Sequence, residues 1–330
     1  MPWIESYEHF HKKNVYNNSK RLIYGCHGFH GKEFSCAGWG DRIREMIWGY
    51  RFAAATDRVL HIFLTHPFSL ETVLQPNIVN WTSYFVESVE KINLKSHVFT
   101  SDLKKNYDKY KNIKDLYFSG NSESNSALFN YKNPEEFNID HSLDSPDTYC
   151  IFKSLFKMSD ALKKQVDERI ESIYSSNTTE YVAVYLRSGG MIDEEVLYRG
   201  NSFNNLLGLL YCAKLLERKS TPILFIASDY RVRRIVNMSV FTNVVNINPV
   251  KIHHTYSNDH VEGFNTFLEL GLLSQANCLV LTRPSGFGDI ARWLGGNFEC
   301  VRYVADTSAK NFKSENGRNT SRECFEELGG

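Results

Sequence analysis

ELGLLSQANCLVLTRPSGFGDIARWLGG, residues Glu269 to Gly296, decides the fold class of this chain. Its first part continues a run opening at Gly263, in which Phe264, Phe267, Leu268, Leu272 and Ala276 recur at helical spacing and share one face. Cys278 to Thr282, CLVLT, is short and apolar, the pattern of a buried strand. The turn Arg283-Pro284-Ser285-Gly286-Phe287-Gly288-Asp289 follows, and Gly288 to Gly295 again reads as a helix. Helix, strand, turn and helix in so short a span is the repeating unit of a parallel α/β sheet, whose ligands meet the carboxyl ends of the strands.

Working outward, the same alternation extends in both directions. YVAVYL from Tyr181, PILFIAS from Pro222, Val244 to Ile247 and FECVRYV from Phe298 read as strands, and Phe203 to Leu216 is helix-like. Near the other end, RLIYG at Arg21 to Gly25 is a strand. It leads through the glycine-studded CHGFHGKEFSCAGWGD into a helical pattern from Asp41, where Ile43, Met46, Ile47, Tyr50 and Ala54 make one face apolar. RVLHIFL, Arg58 to Leu64, is the next buried strand. Between about Asn93 and Asp147 the chain is polar and weakly periodic, which predicts the irregular remainder of an N-terminal domain, with the region near Pro146 approaching a link. The expectation is α/β throughout, with two Rossmann-like doubly wound domains facing a cleft, residues 1–158 and residues 159–330.

Composition supports an enzyme rather than a charged coat. At 330 residues the chain exceeds one ordinary core, and Lys plus Arg equals Asp plus Glu at 38 each, so no field of one sign exists to hold nucleic acid. No stretch approaches the roughly 20 apolar residues that cross a bilayer, and MPWIESYEHFHKK lacks the apolar centre of a signal peptide. The chain as given is expected to be soluble, cytoplasmic if full length and in the Golgi lumen if an N-terminal anchor has been removed. Five Asn-X-Ser/Thr triplets, at Asn17, Asn80, Asn177, Asn237 and Asn319, permit a secretory lumen. Seven cysteines show no CxxC pairing; Cys212 and Cys278 fall in apolar runs and are expected to be buried thiols, with no disulfide framework.

Four groups of residues carry chemistry. Arg187 follows directly on YVAVYL and precedes Ser188-Gly189-Gly190, so its guanidinium can hold a phosphate through two parallel hydrogen bonds where glycines let backbone approach; the alternative is a surface pair with Asp193 or Glu194. The turn through Ser285, Gly286, Phe287 and Gly288 offers a hydroxyl and the unpaired amides of a helix start, an anion site, although Ser285 as a helix cap is compatible with the same geometry. Asp229 closes the strand PILFIAS and can accept from a ribose hydroxyl or a base edge, or cap the next segment. Gly38-Trp39-Gly40-Asp41-Arg42 opens the N-terminal helix; Trp39, Gly40 and Arg42 are candidates to line the cleft, and Asp41 is either a cleft residue or the helix N-cap. The run His253 to His260 lacks a recognised metal-ligand spacing and reads as a polar loop, and no G-x-S-x-G elbow marks a hydrolase.

Taken together, these motifs resemble the α-fucosyltransferase superfamily, the α1,2-, α1,6- and protein O-fucosyltransferases that share the GT-B fold. The resemblance lies in GWGDRIREMIWGYRFAAATDRVLHI, in Val184-Tyr185-Leu186-Arg187, in Phe225-Ile226-Ala227-Ser228-Asp229, and in the quoted stretch ending FGDIARWLGG, which is closest to plant-type α1,2-fucosyltransferases. Tyr185 stands where the family often has histidine, no second arginine follows Arg187, and Asp41 replaces the asparagine of protein O-fucosyltransferases. The resemblance implies an inverting, metal-independent transfer of L-fucose from GDP-β-L-fucose to a glycan hydroxyl, with the nucleotide sugar as donor substrate and no further cofactor. Arg187 would bind the β-phosphate, Ser285 to Phe287 the diphosphate or sugar, and Asp229 the nucleoside side. Asp41 is the first candidate base and Glu33 the second. A GT-B transferase using a xylosyl or rhamnosyl donor, and a glycan- or nucleotide-binding module without turnover, are the alternatives.

Overall fold

The computed structural model describes residues 1–17, 19–25, 38–64, 68–82, 97–99, 103, 106, 108–119, 146–173, 180–186, 212–214, 216, 223–227, 244–245, 260–283, 286–296 and 300–305. The chain forms two compact units, Met1–Ser159 and Asp160–Gly330, each built on a parallel sheet.

In the first unit the elements run α1 (Pro2–Asn14), β1 (Arg21–Gly25), α2 (Trp39–Ala55), β2 (Val59–Phe63), β3 (Leu74–Pro76), β4 (His97–Phe99), β5 (Asp115–Ser119), α3 (Pro146–Leu155) and β6 (Phe156–Met158). The parallel sheet has the order β2-β1-β5-β4, with Leu22 opposite both Leu60 and Leu116, while β3 and β6 form a separate antiparallel pair. Ile43, Met46, Ile47 and Tyr50 are buried as the helical pattern requires.

Two expectations are corrected, and one element is new. The polar stretch is not irregular throughout, because β5 within it is an interior strand of the sheet, with Leu116 and Phe118 fully buried. Only Leu-Tyr-Phe separates Asp115 from Ser119, too few residues to register a period. Pro146 opens a helix that buries Ile151, Phe152 and Leu155, not a link. And α1 has no counterpart in the sequence reading, although Ile4, Tyr7 and His11 lie on one face and are buried.

The work of α1 is to close the exposed edge of β2. The Leu60 amide donates to the Tyr7 hydroxyl at 3.1 Å, that hydroxyl donates to the Arg58 carbonyl at 3.0 Å, and His11 Nε2 donates to the Leu60 carbonyl at 2.9 Å. Side chains thereby satisfy strand groups that would otherwise be open to another chain. Arg58, fully buried, sits where β2 begins; its guanidinium donates to the carbonyls of Arg21, Tyr110, Lys111 and Ile113 at 2.9 to 3.3 Å, tying the starts of β1, β2 and β5 together.

The second unit comprises α4 (Asp160–Ile173), β7 (Val182–Leu186), β8 (Ile223–Ala227), β9 (Val244–Val245), α5 (His260–Ser274), β10 (Cys278–Arg283), α6 (Gly286–Gly295) and β11 (Val301–Ala305). Its sheet has the order β11-β10-β7-β8-β9 with every pair parallel. The start of β7 is clamped to the turn after α5: the Tyr181 amide donates to Asn277 Oδ1 at 3.1 Å, the Asn277 amide donates to the Tyr181 carbonyl at 3.0 Å, and the Tyr181 hydroxyl donates to the Leu272 carbonyl.

Cys278 is not a free thiol. It is disulfide-bonded to Cys300, and Cys212 is disulfide-bonded as well. The cause is register: Leu279 pairs with Val301, so the residues just before them come together with their Cα atoms 4.7 Å apart. A spacing of 22 residues carries no signal of this until the two strands are known to be neighbours. Among the described residues Cys150 is the free cysteine.

Candidate functional site

In the second unit, β7, β8 and β10 run in the same direction and end side by side. Leu186 pairs with Ala227 at the last register position of β7 and β8, and Tyr185 pairs with Leu281 of β10. Arg187 and Ser188 come next in sequence after β7, Asp229 stands two residues beyond β8, and Pro284-Ser285 joins β10 to α6. Arg187, Ser188, Gly189, Asp229 and Ser285 themselves lie outside the described residues, as do Glu33 and His253 to Asn258.

What is described at this edge is the start of α6. The helix begins at Gly286, earlier than the Gly288 read from sequence, so Gly286, Phe287 and Gly288 form its first turn and contribute amides without partners inside the helix. Phe287 is half-buried and stacks on the buried Tyr185 ring, with centroids 4.8 Å apart and planes 26° apart. That contact fixes the first turn of α6 against the end of strand β7, which Arg187 follows in sequence. Gly288 serves close packing: a Cβ there would stand 3.3 Å from the Leu281 side chain, which would have to give by a few tenths of an ångström to admit it. At the other end of α6, a Cβ on Gly295 would fall 2.0 Å from the Ser274 carbonyl oxygen, so only glycine lets α6 lie against the end of α5. Asp289 and Arg292 of the same helix are both buried.

In the first unit, α2 starts where the glycine-studded segment ends. Gly38 is the N-cap and makes no side-chain cap bond, which corrects the reading of Asp41 as a cap. Asp41 instead lies within the first turn, its amide donating to the Gly38 carbonyl at 3.1 Å and its carboxylate 3.6 Å from the Arg44 guanidinium. A carboxylate here complements the partial positive charge of the helix start. Trp39 and Arg42 are both buried; the guanidinium lies over the indole at 4.9 Å, and the indole packs on Phe68 at 5.3 Å.

Tyr24, on the penultimate residue of β1, was not singled out by sequence and belongs to this cluster. Its pKa is pushed well up, first by burial, with Arg42 opposing and Glu45 and Asp41 adding to the rise. A tyrosine near the carboxyl end of a strand was the available signal. The arrangement stacks one buried cation against an aromatic face beside a partly exposed carboxylate, a local balance of charge that positions Asp41 rather than an apolar patch. Among the described residues, no group of His, Cys, Asp and Glu converges as a metal site would.

No protein-family model matches the chain, and no curated protein matches it by sequence. Solved structures do. The chain is similar to Arabidopsis thaliana FUT1, solved as an arginine-to-lysine mutant in complex with GDP, with a TM-score of 0.59 and 15% identity over 92% of this chain and 78% of that one. It is also similar to the fucosyltransferase NodZ from Bradyrhizobium, with a TM-score of 0.48 and 14% identity over 83% of this chain and 92% of that one. POFUT1 in complex with GDP-fucose gives a TM-score of 0.49 and 12% identity over 87% of this chain and 98% of that one.

Proposed function

The chain has the fold of the α-fucosyltransferase-like superfamily, and from that premise we propose that it is an inverting, metal-independent glycosyltransferase moving L-fucose from GDP-β-L-fucose to a glycan hydroxyl. The observation that supports the reading is the edge where β7, β8 and β10 end beside the start of α6, because the residues expected to grip a sugar nucleotide follow those strands in sequence or open that helix. Arg187, with Ser188 and Gly189, is assigned to the β-phosphate, Ser285 and the first turn Gly286-Phe287-Gly288 to the diphosphate and sugar, and Asp229 to the nucleoside.

As the bond from sugar to diphosphate lengthens, negative charge grows on the leaving oxygen, and a fixed guanidinium with helix-start amides stabilises it more than it stabilises the ground state. The acceptor hydroxyl loses its proton to a base, for which Asp41 is the first candidate and Glu33 the second. Trp39, Gly40 and Arg42 shape the acceptor side, Trp39 and Arg42 from buried positions. In this reading residues 1–158 form the acceptor domain and residues 159–330 the donor domain, in a GT-B arrangement with the reaction between them. The disulfides of Cys212 and of Cys278 with Cys300 favour an oxidising secretory compartment such as the Golgi lumen over the cytoplasm.

The test is a donor panel read by thermal shift and turnover on a glycan array. GDP-fucose should stabilise the protein more than UDP-sugars or other GDP-sugars. Arg187→Lys keeps the charge but loses the forked geometry, and turnover should fall by about 10²-fold or more with the melting temperature unchanged. Wild-type turnover in that variant would remove Arg187 from the site, and preferential stabilisation by a xylosyl or rhamnosyl nucleotide would replace the donor.

A further inference from the structure

We propose that Asn80 and Asn17 are N-glycosylation sites whose first sugars lie over Tyr16 and Ile78. Both asparagines begin Asn-X-Ser/Thr triplets, Asn80-Trp81-Thr82 and Asn17-Asn18-Ser19, and both belong to one patch of the first unit. The link between them is direct: Asn80 Nδ2 donates to the Tyr16 hydroxyl at 3.2 Å, and Tyr16 precedes Asn17 in the chain.

Three observations point to a modification here. First, both side-chain amides reach the surface, Asn17 as an exposed residue and Asn80 as a half-buried one. Asn17 is exposed just past α1, its Nδ2 donating to the Lys13 carbonyl at 2.9 Å, and the Asn80–Tyr16 bond is itself exposed. Secondly, the Asn80 triplet is folded as a unit: the Thr82 hydroxyl donates to Asn80 Oδ1 at 2.6 Å and the Thr82 amide to the same oxygen at 3.3 Å. Oδ1 is thereby occupied, and Nδ2 keeps one hydrogen on Tyr16 with the second available for replacement. Trp81, between them, is buried with its Nε1 donating to the Leu155 carbonyl at 2.7 Å, which anchors the turn to the unit.

Thirdly, the patch carries unexplained apolar surface. Among the described residues the exposed large hydrophobic side chains are Met1, Tyr16 at 65% and Ile78 at 58% exposure, and two of these three flank the triplets. A sugar ring has an apolar face and a polar rim, so the innermost residues of an N-glycan would cover a tyrosine ring and an isoleucine while keeping their hydroxyls in water. The disulfide between Cys278 and Cys300 adds that the chain folds under oxidising conditions, which prevail in the compartment where such glycans are attached.

The chemistry is a group transfer from a lipid-diphosphate-linked oligosaccharide. Nδ2 forms a bond to C1 of the sugar that carries the diphosphate, the C1–oxygen bond to the diphosphate breaks with its electron pair leaving on the lipid diphosphate, and the displaced amide proton passes to a base of the transferring enzyme.

The experiment directs the full chain into the secretory lumen of a eukaryotic cell with a cleavable signal sequence. The secreted protein is treated with a peptide-N-glycan amidase in heavy-oxygen water, and its peptides are mapped by mass spectrometry. Conversion of Asn17 and Asn80 to heavy aspartate is expected; unmodified asparagine at both in wild-type protein overturns the proposal, and this reading needs no variant to fold. Thr82→Ala should abolish the mark at Asn80 and leave Asn17 unchanged, and a persisting Asn80 mark would overturn the triplet as its cause. Tyr16 should be nitrated several-fold more slowly before deglycosylation than after it, and equal rates would overturn the covering of the ring.

Discussion

The sheet of the first unit and the sheet of the second share a parallel arrangement, yet among the described residues polar side chains are buried at the strands only in the first, the buried Glu269, Asp289 and Arg292 of the second lying on its helices. Under β2 and β1 lie Arg58, His61 and His11, all buried, with Arg58 and His11 bonded to strand carbonyls. At the same depth in the second unit lie Leu279, Val280, Leu281, Ala183 and Val184, and the strand pair β10–β11 is closed by the Cys278–Cys300 bond. Polar burial fixes register through directional bonds but costs more when a partner is lost, whereas apolar burial is tolerant of direction and sensitive to volume. The two units should therefore fail under different insults, and hydrogen exchange on peptides from β1 and from β10 can follow each separately.

The largest effect is expected from volume in the second unit. Gly295→Ala places a methyl carbon where the Ser274 carbonyl oxygen already stands, and a backbone atom cannot rotate away as a side chain would. A loss above about 3 kcal/mol is expected, with fast exchange in β10 and α6 and unchanged protection in β1. Equal loss in both units would show that they unfold as one and would end the comparison. Arg58→Met tests the other side: removal of the guanidinium takes a donor from the carbonyls of Arg21, Tyr110, Lys111 and Ile113, of which Tyr110 keeps the Ile113 amide and Lys111 keeps Lys20 Nζ, and a loss of about 2 kcal/mol confined to β1, β2 and β5 is expected.

Reduction should separate the units as well. The Cys278–Cys300 bond closes a loop with a sequence separation of 22 residues, and Cys300→Ser should cost about 3 kcal/mol, felt in β10 and β11 and absent from β1. A chain whose wild-type melting temperature does not move on reduction would contradict this.

The same contrast explains what the sequence disclosed. The second unit was legible almost element by element because apolar runs such as CLVLT and the helix face of Phe267, Leu268 and Leu272 declare their burial through periodicity. The first unit was only half legible. Helix α1 buries a tyrosine and a histidine for their hydrogen bonds to β2, and β5 hides three core residues among Lys, Asn, Asp and Ser, so neither has an apolar period to read. Of the site, the start of α6 and its glycines were visible as a strand–turn–helix pattern. The Tyr185–Phe287 stack and the Tyr24 cluster were not, since both depend on which strand ends lie side by side.

Acid should reveal the remaining difference between the units. His61 has its pKa pushed down to about 4, first by burial and then by the neighbouring His11, whose own pKa burial also lowers. The geometry gives the reason: His61 Nδ1 donates to the Thr82 carbonyl at 3.3 Å, so the neutral ring carries its free lone pair on Nε2, and that nitrogen is buried without a partner. A proton there would be an unmatched charge inside the unit. Because the folded value lies below the unfolded value of 6.5, the unfolded chain binds more protons between the two. Stability is then fully present above pH 6.5 and falls as the pH drops through 4, by a total of about 3 kcal/mol. The loss should appear in β1 and β2 and not in β10, and His61→Phe, which fills similar volume without titrating, should flatten the acid limb of the first unit. An unchanged acid limb in that variant would move the titration elsewhere, with His11, its nearest titrating ring at 6.4 Å, the next to replace.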